Sequence, residues 1–178
     1  GLLNVVGLEE KKLNKLCEEV AQKNSNICRI SLKLFPAGFS VGGNFDSVAE
    51  LAEMCMKEGA QQAKILGDHG FHTPLMEPAV GRLTELLDDA LPRMKTPLHS
   101  VWMNASGEPV RPGTDPSEIV ALLKRQMVEP VAWEGLLKNV LKELGSPQMY
   151  ELGPGKTLKG MMKRVDASAF KKTDSIEV

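Results

Sequence analysis

A chain of 178 residues, 42% hydrophobic and 25% charged, with a net charge of -1, is long enough to bury a core and reads as a globular protein. Balanced charge with one tyrosine and two tryptophans offers neither a basic field nor a stacking platform, which argues against nucleic acid. No apolar run approaches the roughly 20 residues of a membrane-spanning helix, and three cysteines in apolar patterns (Cys17, Cys28, Cys55) read as core thiols of a reducing, intracellular compartment.

The chain opens at Gly1 with no methionine and runs at once into a strand over Leu2–Gly7, so it reads as a processed or truncated product. Leu13, Leu16, Cys17 and Val20 then fall at i, i+3, i+4 and i+7 and predict a helix. Two strands, Ile27–Leu34 and Phe39–Gly43, flank the turn Phe35-Pro36-Ala37-Gly38. A second helix follows the cap Asn44-Phe45-Asp46, with Val48, Leu51, Ala52 and Cys55 on its inner face, and Ala63–Leu66 supplies a fourth strand. The order βαββαβ over residues 1–66 is the ferredoxin-like, split-βαβ arrangement: one sheet with two helices on one face.

From residue 67 onward helices alternate with fewer strands. A helix follows Pro78 (Val80, Leu83, Leu86, Leu87). Leu98–Met103 is apolar on both sides, as a buried parallel strand would be. Asp115, Pro116 and Glu118 mark a helix start, with Ile119, Leu122, Leu123 and Met127 as its stripe. Trp133–Leu144 is a helix closed by Gly145, Gln148–Leu152 a strand, Thr157–Arg164 a helix, and Lys171–Val178 a polar, frayed tail. This alternation predicts part of a layered α/β domain with a parallel sheet. Its strands are too few to cover the apolar stripes, so the missing ones are expected upstream of Gly1.

Four patterns invite a chemical reading. Gly38-Phe39-Ser40-Val41-Gly42 has the spacing of a nucleophile elbow, but Phe39 and Val41 flank Ser40 in strand alternation where an elbow needs a strand-to-helix turn. Gly155-Lys156-Thr157 has the ending of a phosphate loop, yet Tyr150 stands where that motif needs glycine. Asp68, His69 and His72 could ligate a metal, but no further convincing partner joins the two histidines and one acid. His72, on the loop after the fourth strand, is either a packed histidine or a general base, since a free imidazole titrates near neutrality. Residue type alone leaves those two even.

The neighbours decide. Gly70-Phe71-His72-Thr73-Pro74-Leu75-Met76 followed by Glu77-Pro78-Ala79-Val80 resembles the histidine motif of the malonyl-CoA:acyl carrier protein transacylases. Similar stretches run in order through the chain: Val5-Val6-Gly7-Leu8, Leu34-Phe35-Pro36, Ser40-Val41-Gly42-Gly43, Arg125-Gln126-Met127 with Pro130-Val131-Ala132-Trp133, Glu151 to Leu158, and Lys163-Arg164-Val165. The resemblance implies that residues 1–66 are the family's small ferredoxin-like subdomain. Residues 67–178 would then be the C-terminal part of its large, α/β-hydrolase-like acyltransferase subdomain. It implies His72 as the catalytic base, oriented by the main-chain carbonyl of Gln126, and Phe71 as a substrate-binding residue that favours malonyl over methylmalonyl.

The family's serine elbow, carboxylate-binding arginine and oxyanion loop precede the small subdomain, so they are expected in an upstream segment of the same enzyme. Asp68 and His69 stand where the stand-alone enzymes have serine and glycine; a histidine at that place resembles polyketide synthase acyltransferase domains. The implied substrates are malonyl-CoA and acyl carrier protein, in fatty acid synthesis, with no cofactor or metal beyond the coenzyme A thioester. The implied compartment is the cytoplasm in a bacterium, or a plastid or mitochondrion in a eukaryote. A polyketide synthase acyltransferase fragment, a serine esterase using Ser40 and His72, and a non-catalytic carrier-protein-binding fragment remain as alternatives.

Overall fold

Alternating apolar residues and two amphipathic helices close the first third of the chain around one sheet. The computed structural model, which describes residues 1–178, places β1 (Leu2–Val6), α1 (Glu10–Asn24), β2 (Cys28–Phe35), β3 (Gly38–Gly43), α2 (Phe45–Lys57) and β4 (Gln62–Gly67) in that order. The strands align as β2-β3-β1-β4 with every neighbouring pair antiparallel. Leu3 and Val5 of β1 are fully buried while Leu2, Asn4 and Val6 on its other face are half-buried, the period of two that a sheet covered on one face requires. Leu13, Leu16, Cys17 and Val20 of α1 and Val48, Leu51 and Cys55 of α2 meet that face in a cluster of 15 buried residues. Each such side chain contributes about 1.5–3 kcal/mol, enough to make this the stable body of the molecule. Asn44, expected as a helix cap, makes no cap hydrogen bond; its Oδ1 accepts from the Ile27 N–H at 2.9 Å and ties the start of α2 to β2.

Helices dominate beyond β4. A 3₁₀ turn (Pro74–Met76) leads into α3 (Glu77–Ala90); β5 (Val101–Trp102) pairs antiparallel with β6 (Pro109–Val110). Then come α4 (Pro116–Arg125), α5 (Trp133–Leu144), β7 (Met149–Leu152), α6 (Thr157–Val165), α7 (Ala167–Lys171) and β8 (Thr173–Ile176). Asp115 caps α4 as expected, accepting from the Ser117 N–H at 2.8 Å, and Gly145 closes α5 in the left-handed conformation. No helix is long and apolar enough to cross a membrane.

Two expectations need correction. Leu98–Met103 is not a buried parallel strand: only Val101 and Trp102 pair, antiparallel, and Leu98 is 83% exposed. Pro109 opposite Trp102 has no N–H to extend that ladder. The tail is not frayed throughout, because Thr173–Ile176 forms β8 and pairs in parallel with β7, the one parallel strand pair of the fold. Its polar alternation hid the strand: Thr173 is buried and donates its hydroxyl to Ala169 O at 2.8 Å, while Asp174 faces solvent.

Leu136, Leu137, Met162 and Ala169 make a second, much smaller buried cluster, and α3 buries none of its side chains completely. The apolar stripes read from the sequence are real helix faces and are partly covered here: Val120 of α4, Leu136 and Leu137 of α5 and Met162 of α6 are buried. Val131 links the two regions by extending the sheet beyond β2: Lys33 N donates to Val131 O and Val131 N to Ser31 O, both at 2.9 Å. The Arg164 guanidinium adds a contact 4.5 Å from the Phe35 ring centre.

Glu151 on β7 reaches across the Gly153-Pro154-Gly155 turn to α6, accepting from the Leu158 and Lys159 N–H groups at 2.8 and 3.0 Å and from the Ser175 hydroxyl at 3.0 Å. The helix N-terminus therefore already holds an anion of the protein's own, which disposes of the phosphate-loop reading of Gly155-Lys156-Thr157. Burial pushes the Glu151 carboxyl up, but these donors outweigh it and hold the group below the ordinary glutamate value. Since the folded-state value is the lower one, the stabilisation is fully present above about pH 4.3 and fades as the pH falls through the folded value. Glu151→Gln should therefore lower the melting temperature at pH 7 and differ less from wild type in acid; an equal gap at both pH values would rule this out.

Candidate active site

The loop between β4 and the 3₁₀ turn is pinned by Thr73. Its hydroxyl donates to Gly70 O at 2.6 Å and accepts from the Leu75 N–H at 3.3 Å, and the residue is fully buried. Pro74 then fixes the start of the turn, a Thr-Pro punctuation that aims the chain into α3. The Thr73 methyl and the Phe71 carbonyl lie over Gly42 of β3, where a Cβ would come 2.7 Å from Thr73 Cγ2 and 3.2 Å from Phe71 O. Only a glycine lets the loop settle this close to the sheet.

Held in this way, His72 adopts a left-handed backbone with φ of 58°. That costs a non-glycine residue about 1–3 kcal/mol and persists only where surrounding contacts impose it. The half-buried imidazole has its one hydrogen bond at Nδ1, 2.6 Å from the main-chain oxygen of Gln126. A carbonyl can only accept, so Nδ1 carries the proton, and the neutral ring presents a lone pair at Nε2.

Gln126 is the C-cap of α4, where helix carbonyls have no intrahelical partner and carry the negative end of the helix dipole. Its carbonyl is therefore free to accept the hydrogen bond of the imidazole N–H. The Gln126 side chain only accepts a long 3.5 Å contact from Asn104 Nδ2. Beside it Arg125 and Glu129 pair at 2.8 Å, and the Arg125 hydrogen bond holds the Glu129 carboxyl below its ordinary value.

The other sequence candidates go elsewhere. His69 stacks on Phe71, ring centres 4.9 Å apart and 23° from parallel, and lies 3.3 Å from the Asp68 carboxylate. Asp68 and His69 thus pair with each other while His72 turns to Gln126, and no three metal-binding side chains converge. Phe71 is 44% exposed, one face of its ring on His69. Ser40 lies within β3 and is 3% exposed, and its hydroxyl donates to Asn4 Oδ1 at 2.5 Å. It sits on a strand, engaged with Asn4, and forms no elbow. The sequence assigned no role to Thr73 or Gly42; the Thr-Pro step was a usable signal for the first, and the patterns that contain Gly42 did not point to a loop crossing it.

An antiparallel sheet thus carries, on the loop after its last strand in chain order, a histidine anchored on a main-chain carbonyl of α4. The chain belongs to the malonyl-CoA:acyl carrier protein transacylase family. It is 32% identical over 188 residues to the human mitochondrial malonyl-CoA-acyl carrier protein transacylase, an alignment that covers all of this chain and 47% of that protein. Its fold matches the crystal structure of an acyl-carrier-protein S-malonyltransferase from Burkholderia pseudomallei, with a TM-score of 0.85 and 26% identity over 99% of this chain and 54% of that one. A malonyl-transacylase solved with its type II polyketide synthase acyl carrier protein shares the fold, with a TM-score of 0.84 at 24% identity over 99% of this chain and 54% of that one. No family model matches the chain. The chain spans about half the length of the curated relatives it matches.

The close approach at Gly42 can be tested. Gly42→Ala should destabilise the protein by about 1–3 kcal/mol, as overpacking does. Gly81→Ala on α3, where an added Cβ meets nothing within 4 Å, should be neutral or gain up to about 1 kcal/mol. Urea unfolding of both decides it, and equal midpoints would mean that the loop does not rest on β3 as described.

Proposed function

We propose that this chain is the histidine-bearing part of a malonyl-CoA:acyl carrier protein transacylase. Residues 1–66 would form its small subdomain, and residues 67–178 part of its large one. The observation that carries the reading is the bond from His72 Nδ1 to the Gln126 carbonyl, which leaves Nε2 as the basic nitrogen. The nucleophilic serine is assigned to a part of the enzyme outside these residues, because Ser40 is committed to Asn4. That commitment also disfavours an esterase built on Ser40 and His72.

The transfer runs in two halves. His72 Nε2 takes the serine proton as the oxygen attacks the malonyl thioester carbonyl. The tetrahedral oxyanion is held by backbone donors and collapses, and the coenzyme A thiolate leaves with the proton returned by His72. In the second half His72 deprotonates the phosphopantetheine thiol of the carrier protein, the sulfur attacks the acyl ester, and the serine oxygen recovers the proton. Serine and histidine end as they began, and no metal or prosthetic group takes part. Such an enzyme serves fatty acid synthesis, in the mitochondrion or plastid of a eukaryote or the cytoplasm of a bacterium.

In the enzyme with its serine present, His72→Ala should slow formation of the malonyl-enzyme by about 10⁴-fold or more. Gln126→Ala should keep most of the activity, because the acceptor is main chain. His69→Ala should cost far less than His72→Ala. Single-turnover acylation separates the cases: equal collapse of the His69 and His72 variants, or a deep loss in a folded Gln126→Ala, would contradict these roles. Absence of any acyl-enzyme in the wild-type assembly would favour a non-catalytic carrier-binding role.

Phe71 sets the acyl preference in this reading, its ring narrowing the space beside the α-carbon where methylmalonyl carries a methyl. One surplus methyl is rejected by about 1–3 kcal/mol, so malonyl should be preferred by tens to a couple of hundred-fold in kcat/KM. Phe71→Ser should shrink that ratio. An unchanged ratio would make the ring mere packing against His69.

A further inference from the structure

Between Ala60 and Met103 a single residue is buried, and it is polar: Thr73, the neighbour of His72. The stretch that leaves β4, carries the histidine and becomes α3 is therefore seated at one point. Residues around it do not share the task, since Asp68, His69 and Phe71 before it and Pro74 after it are exposed.

The Thr73 side chain acts on both sides of the strained residue. Its hydroxyl donates to Gly70 O, two residues before His72, at 2.6 Å, and accepts from the Leu75 N–H, three residues after it, at 3.3 Å. The Leu75 side chain closes the same loop, lying where a Cβ on Gly70 would come within 2.7 Å of it. The methyl has a different part, resting over Gly42 and joining the loop to β3. The oxygen of Thr73 thus sets the curvature of the loop, and its methyl carbon sets the seat.

Little else holds His72. Its φ of 58° has to be imposed by surrounding contacts, and the one hydrogen bond of its ring goes to a carbonyl 54 residues away. Relaxation of that backbone toward negative φ would swing the ring off the Gln126 oxygen. A neutral imidazole released from this acceptor is free to carry its proton on Nε2, the nitrogen that must be unprotonated to act as base.

We infer that Thr73 is a positioning residue for the acyl transfer, and that its hydroxyl, through the histidine backbone, holds His72 in the reactive tautomer. The inference rests on the transacylase reading of His72. Thr73 itself touches no substrate and carries no proton of the reaction.

The test compares Thr73→Val, which keeps the volume and loses the hydroxyl, with Thr73→Ser, which keeps the hydroxyl and loses the methyl, in the enzyme with its serine present. Thr73→Val should form the malonyl-enzyme about ten- to a hundredfold more slowly in single turnover, with KM for malonyl-CoA within about threefold of wild type, because a displaced base slows chemistry more than it weakens binding. Thr73→Ser should stay within about threefold of the wild-type rate, the hydroxyl still holding the loop. Nitrogen-15 NMR of histidine-labelled enzyme, with the His72 signals identified by their absence from His72→Ala, reads the tautomer. The proton should sit on Nδ1 in wild type and Thr73→Ser and be shared between the two nitrogens in Thr73→Val. A merely structural threonine would lower the melting temperature of these variants without moving the tautomer. If Thr73→Val does not fold, Thr73→Ser against Thr73→Ala, which differ by the hydroxyl alone, decides the same point. A folded hydroxyl-free variant with wild-type rate and tautomer, or a Thr73→Ser that loses as much as Thr73→Val, would overturn the inference. Absence of an acyl-enzyme in wild type would instead overturn the transacylase reading, and the nitrogen shifts would still decide whether Thr73 holds the ring.

Discussion

The hydrogen bond between His72 Nδ1 and the Gln126 carbonyl is the contact on which the rest of the architecture converges. Its two partners lie 54 residues apart, one on the loop leaving the sheet and one at the end of α4. Bringing them to 2.6 Å requires that both loops rest on a common body. Val131 supplies this for the Gln126 side by joining the ladder of β2, and Thr73 supplies it for the His72 side by settling on β3 over Gly42. The strained backbone of His72 is tolerated because that body is rigid, a cluster of 15 buried residues against which one left-handed residue is a small cost.

A main-chain carbonyl as the orienting group has a chemical consequence. A carboxylate in that place would fix the same tautomer and add a full negative charge beside the ring. The carbonyl at the end of α4 fixes the tautomer with dipoles alone. For an acyl group that itself ends in a carboxylate, as malonyl does in the proposed reaction, a neutral acceptor spares the substrate a like charge.

Packing is unequal along the chain. The sheet and its two helices carry most of the buried apolar surface, while α3 completes no burial and the second cluster has four members. Local devices hold the latter region together: the Asp115 cap, the Glu151 carboxylate on the α6 amides, and the parallel pairing of β7 with β8. The candidate site lies at the border between the two regions, with its histidine loop anchored on the well-packed side.

Periodicity in the sequence was sufficient for the βαββαβ order and for every long helix, because burial against one face imposes a spacing that survives in the residues themselves. It was insufficient where pairing is decided by a distant partner: Thr173–Ile176 is polar enough to pass for a tail until β7 lies beside it, and Leu98–Met103 is apolar enough to pass for a strand although little pairs with it. The histidine motif marked His72 as a candidate, yet residue type left base and packed histidine even, and Gln126 came from family resemblance, since no local pattern relates residues so far apart. Only the folded chain put the Gln126 carbonyl on Nδ1, turned the Ser40 hydroxyl to Asn4, and showed that Gly42 is a glycine because a loop crosses it. Such contacts depend on distances between segments remote in sequence, and those distances exist only once the sheet, its helices and α4 have packed.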